Sequence, residues 1–107
     1  MEKIWLNRYP EGMPEEIDPN HYDSLLELFE RSFKEYANLP AFSNMGKKLT
    51  YEEMDNETKK FASYLQNELG LQKGDKVAVM MPNLLQTPIA ILGTLRAGCV
   101  VVNVNPL

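Results

Sequence analysis

The chain has 107 residues, 44% of them hydrophobic and 24% charged, with a net charge of −4. That balance belongs to one globular domain or part of one and excludes whole-chain disorder. The acidic sign argues against nucleic acid as the main partner, because phosphate binding needs a clustered cationic surface, and the basic pairs Lys47-Lys48 and Lys59-Lys60 both have acidic neighbours.

Residues 1–22 carry Pro10, Pro14 and Pro19 among Glu11, Glu15, Glu16 and Asp18. Proline fixes φ and pushes the residue before it towards extended backbone, so this stretch is predicted as an extended Pro-rich arm. Trp5 and Tyr9 are its apolar anchors. The simpler reading packs them on their own subunit; the sharper one seats them on a second subunit. The amino-terminal apolar stretch is only Ile4-Trp5-Leu6 before Asn7 and Arg8. That is no secretory h-region, and the expected location is the cytoplasm.

The spacing predicts a first helix over 24–37. Ser24 and Glu27 fit a capping box, and Leu25, Leu26, Phe29, Phe33 and Tyr36 share one face. Short extended segments on either side of Asn44-Met45-Gly46 predict a hairpin, with Gly46 supplying a positive φ. A second helix is predicted over 51–69. Thr50 and Glu53 form a capping box, Leu49 and Met54 a hydrophobic staple, and Met54, Thr58, Phe61, Ala62, Leu65 and Leu69 the buried face. Gly70 suits the left-handed residue after the helix, with Leu71 folding back on Leu65.

The remaining residues are almost continuously apolar. Residues 76–81 and 99–104 read as two strands buried on both faces, which is the signature of a parallel sheet covered by helices. Between them, 84–97 reads as a helix, with Asn83 and Gln86 as a capping pair and Gly98 at its end. Pro88 leaves two starts open: Leu84, at the loss of one hydrogen bond, or Thr87 as N-cap with Pro88 in the first helical position. A strand–helix–strand unit of this kind needs protein on both faces. The expectation is an α/β fold in which residues 23–107 are a partial large domain, incomplete at the carboxy end, with the chemistry beyond Leu107.

Motifs that carry chemistry are scarce. The turn after Met81 is Pro82-Asn83-Leu84, with no glycine to let a pyrophosphate approach. Gly46-Lys47-Lys48 lacks the upstream glycine of a phosphate-binding loop and reads as the hairpin turn. His21 is the single histidine and has no partner for a zinc site or a triad. Glu52, Glu53 and Asp55 are explained by the dipole of the helix they begin. Cys99 reads as a small buried hydrophobe rather than a nucleophile, and Met80-Met81 as core. No catalytic, cofactor-binding or metal-ligating residue is assigned.

An ordered set of short motifs remains: Leu49-Thr50-Tyr51-Glu52-Glu53, Lys73-Gly74-Asp75-Lys76-Val77-Ala78, Met81-Pro82-Asn83, Leu95-Arg96-Ala97-Gly98 and Val102-Asn103-Val104-Asn105-Pro106. It resembles the opening of the acyl-adenylate-forming enzymes, a superfamily of acyl-CoA ligases, luciferases and adenylation domains of peptide synthetases. Trp5-Leu6-Asn7-Arg8-Tyr9-Pro10 and Met80-Met81-Pro82-Asn83-Leu84-Leu85-Gln86 are similar in detail to bacterial long-chain fatty acid–CoA ligases, as is Asn103, where many superfamily members have proline.

The resemblance implies a two-step reaction, in which fatty acid and ATP, with Mg²⁺, give an acyl-adenylate and pyrophosphate, and the CoA thiol then displaces AMP. It places the phosphate loop, the magnesium-linked acid, the adenosine pocket and the catalytic lysine beyond residues 1–107. The segment is then scaffold, inactive alone, with the remainder of its own large domain as partner. The resemblance also implies a homodimer through the amino-terminal region and loose attachment to the inner membrane, although no basic amphipathic helix accounts for the latter. Two alternatives stand beside this reading: a non-catalytic dimerisation or interaction module, and an adenylating enzyme for another carboxylic acid.

Overall fold

The computed structural model describes residues 1–107. Its elements run α1 (Leu25–Glu35), β1 (Pro40–Asn44), β2 (Lys47–Thr50), α2 (Tyr51–Ser63), β3 (Lys76–Val79), α3 (Gln86–Arg96) and β4 (Val100–Asn103). β1 and β2 form an antiparallel hairpin, and β3 and β4 a separate parallel pair. The α/β class and the order of elements agree with expectation. The differences lie at the ends and on the faces of the elements.

The arm is not wholly extended. Ile4–Arg8 winds into a short 3-10 turn. Lys3 then ties the arm to itself, its Nζ donating to Glu15 and Glu16 at 2.9 Å each. Those carboxylates, Glu15 foremost, hold the Lys3 ammonium above its ordinary pKa. Within these residues Trp5 remains 45% exposed and Tyr9 41% exposed.

In α1 the Ser24 Oγ accepts the Glu27 N–H at 3.1 Å. The Glu27 carboxylate reaches one residue past the cap and accepts the Asp23 N–H at 2.7 Å, so the reciprocal half of the box is displaced. Of the expected apolar face only Phe33 is fully buried; Leu25 and Tyr36 are exposed, and the helix ends at Glu35. In the hairpin, the Asn44↔Lys47 pair leaves a two-residue turn. Its residues Met45 and Gly46 have φ of 48° and 80°. A type I′ turn requires positive φ at both positions, so the left-handed conformation falls on Met45 as well as Gly46.

The Thr50–Glu53 capping box of α2 is complete: the Thr50 Oγ1 accepts the Glu53 N–H at 3.1 Å, and the Glu53 carboxylate accepts the Thr50 N–H at 2.8 Å. Met54, Thr58, Ala62 and Leu65 are buried as expected. After Ser63 the coil widens into a π-helical turn, Tyr64–Glu68, closed by the Leu69 N–H to the Tyr64 carbonyl at 3.1 Å. One extra residue in a turn rotates everything after it by roughly 100° about the axis. Leu69 therefore leaves the buried stripe and is exposed. Gly70 takes a φ of 67°, and the Leu71 N–H bonds the Leu65 carbonyl at 3.0 Å, so the chain folds back where expected.

β3 and β4 pair in register from Lys76↔Val100 to Val79↔Asn103, two residues and one residue short of the expected ends. They are not buried on both faces. Val77 packs on the core of Ala62, Leu65, Ala97 and Cys99, and Val79 is buried, whereas Ala78, Val100 and Val102 are exposed on the other face. The helices cover one side only. α3 begins at Gln86 with no side-chain cap, which corrects the Asn83–Gln86 pair and both proposed starts. Thr87 instead turns its Oγ1 outwards to donate to the Pro82 carbonyl at 2.6 Å. Pro88 is then the third helical residue, where an N–H would find no partner within the helix, so its ring costs no hydrogen bond.

Two contacts lock α3 to the other helices. At Gly93 a β-carbon would lie 2.8 Å from the Phe61 Cδ1 and 3.1 Å from the Thr58 carbonyl oxygen, so α2 and α3 touch almost backbone to backbone. One turn further, the Arg96 Nη2 donates to the Asp55 Oδ1 at 2.9 Å. The Arg96 guanidinium also lies 5.6 Å from the centre of the Phe33 ring. The other Asp55 oxygen accepts from Lys59. Asp55 lies beyond the first turn of α2, and its role is this tie rather than the dipole role expected for it.

Three outcomes follow for thermal or urea unfolding. Met45→Asn, which accepts the left-handed conformation more readily, stabilises the chain by roughly 0.5 kcal/mol. Gly93→Ala destabilises it by roughly 1–3 kcal/mol, because Phe61 has to move. Asp55→Ala leaves Arg96, whose side chain is only 11% exposed, without its carboxylate and costs roughly 2 kcal/mol, discounted from a fully buried pair because Asp55 keeps 25% exposure. An Asp55→Ala change within 0.5 kcal/mol of the parent would show that the pair contributes nothing.

Candidate functional site

The residue types that carry chemistry are scattered. His21 is exposed and stands edge-on to the Tyr22 ring at 4.5 Å. No three His, Cys, Asp or Glu side chains gather where they could hold a metal ion. The Cys99 thiol is buried among Ala62, Leu65 and Ala97 and points at the Gln72 carbonyl at 3.7 Å, a core position. Gly46-Lys47-Lys48 belongs to the hairpin turn and the start of β2. Glu52 and Glu53 occupy the first turn of α2, where the helix dipole favours acidic groups.

What the fold does present is apolar surface. A cleft of about 630 Å³ runs between α2, β3 and α3 and is lined by Phe61, Val77, Val79, Met81, Ile89 and Ala90. Beside it lies the open face of the parallel pair, Ala78, Val100 and Val102. Met80 is 62% exposed, which corrects its assignment to the core; β3 has already ended at Val79, so no neighbouring strand or helix holds it. Val102 is exposed, whereas Val101 and the α3 residues Ile89 and Leu92 are half-buried. Such a surface can bury apolar area against other protein; the polar side chains of the cleft lining are Gln86 and Glu57, the latter paired with Lys60.

A smaller hollow of about 190 Å³ is wholly polar, lined by Glu30, Lys34, Asp55, Lys59 and Arg96. It surrounds the tie between the helices, where Asp55 pairs with both Lys59 and Arg96. The reading of the sequence found neither this cluster nor Gly93. One signal was available: Arg96 is the single charged residue of α3, and a lone cation on an apolar helix calls for a buried carboxylate. No helix is long and apolar enough to cross a membrane.

Comparison with known proteins gives these surfaces a context. A long-chain-fatty-acid–CoA ligase of Yersinia pestis is 60% identical over 107 residues, which are 100% of this chain and 19% of that protein. One of Bacillus subtilis is 42% identical over 106 residues, 99% of this chain and again 19% of the relative. The chain thus spans about a fifth of the length of the curated relatives it matches. Among solved structures, the N-terminal subdomain of Klebsiella oxytoca NpsA superposes with a TM-score of 0.73 at 28% identity, covering 78% of this chain and 22% of that one. A fatty acyl-adenylate ligase of L. pneumophila, in complex with acyl adenylate and pyrophosphate, gives a TM-score of 0.72 at 29% identity, covering 85% and 17%. These neighbours share the α/β arrangement described above. Residues 29–107, from within α1 to beyond β4, match the family model described as AMP-binding enzyme, and the chain belongs to that family.

Proposed function

We propose that the chain is the amino-terminal scaffold of an ATP-dependent long-chain fatty acid–CoA ligase and is inactive by itself. The observation that carries this reading is the 60% identity over all 107 residues to a ligase of which they make up 19%. Residues 23–107 are then part of the large amino-terminal domain, and residues 1–22 an arm upon it. In the whole enzyme a fatty acid carboxylate oxygen attacks the α-phosphate of ATP and pyrophosphate leaves. The CoA sulfur then attacks the acyl carbon of the adenylate, and AMP leaves as the thioester forms.

ATP, Mg²⁺ and CoA do not fit the residues present. The turn between β3 and α3 has no glycine for a phosphate to approach, and no acidic side chains converge on an ion site. No step is therefore routed through these 107 residues. Their part is mechanical: α1, α2 and α3 set the plane of the β3–β4 pair, and the open face of that pair receives the remainder of the domain. The exposed Trp5 and Tyr9 support the association of two copies through the arm. The location that goes with this activity is the cytoplasm, with peripheral attachment to the inner membrane.

Two measurements test the proposal. The 107-residue chain, supplied with ATP, Mg²⁺ and a long-chain fatty acid, shows no acid-dependent ATP–pyrophosphate exchange, whereas the complete reading frame shows that exchange and forms the CoA thioester. Exchange catalysed by the short chain would overturn the placement of the active site. The short chain also enhances the fluorescence of a hydrophobic dye or self-associates, because Ala78, Val100 and Val102 lie open. A clean monomer or dimer that binds no dye would favour a free-standing interaction module instead.

A further inference from the structure

We draw no further inference here: the strongest candidate, the open apolar face of the β3–β4 pair with the cleft lined by Phe61, Val77, Val79 and Ile89, carries nothing beyond the scaffold role, because nothing in the structure shows what covers it.

Discussion

The guanidinium of Arg96 is the point at which three helices meet. It hydrogen-bonds the Asp55 carboxylate of α2 at 2.9 Å and lies over the Phe33 ring of α1, while its own backbone ends α3. Apolar burial draws helices together but is indifferent to how far one slides along another. A charge-assisted hydrogen bond has direction and length, and a cation deprived of water is costly wherever its partner is missing. The pair therefore selects one register of α3 against α2 out of the several that apolar packing would tolerate. The parallel pair depends on that register, because β3 enters α3 and β4 leaves it.

Gly93 makes the register possible by removing bulk where the helices cross. Three residues earlier than Arg96, on the same face of α3, it lets Phe61 and the Thr58 backbone come within contact distance. At the next residue the Thr94 Oγ1 is fully buried without a hydrogen-bond partner, while Thr58 satisfies its own hydroxyl on the Met54 carbonyl at 2.7 Å. An unpaired hydroxyl of this kind costs on the order of 1–3 kcal/mol. Met54, Thr58 and Ala62 of α2 and Leu65 of the π-helical turn after it are all buried, Ala62 and Leu65 in one core with Ala97 and Cys99.

What could be read from the sequence was local, and what could not depended on partners. Thr50 and Glu53 announce α2 because a capping box is a contact between residues three apart, complete within the segment that carries it. Gly70 and Gly98 mark chain reversals for the same reason, each with positive φ in the structure. The start of α3 was misread because Asn83, Gln86 and Thr87 offer competing caps. The outcome was settled by Thr87 bonding the Pro82 carbonyl, a contact of loop geometry. The π-helical turn after Ser63 has no composition of its own. It brings Gln66 to the Ala97 carbonyl at 3.3 Å, a contact 31 residues distant that no window of sequence displays. Nor could helix spacing show that Leu25, Tyr36 and Leu69 would stay exposed, since periodicity states which residues share a face and not whether anything covers it.

The same distinction governs the β3–β4 pair. Val100, Val101 and Val102 run without alternation, a pattern suited to a parallel strand with apolar layers on both sides. In the structure the alternation reappears as exposure: Val101 faces the helices, and Val100 and Val102 face away. A strand that needed only one covered face would gain solubility from polar residues at 100 and 102, and edge strands commonly carry charge there to avoid pairing with strangers. Valine at both positions instead favours burial. The one-sided cover described here and the two-sided pattern of the residues agree only if this face is closed by further protein. That requirement is what the proposed scaffold role rests on.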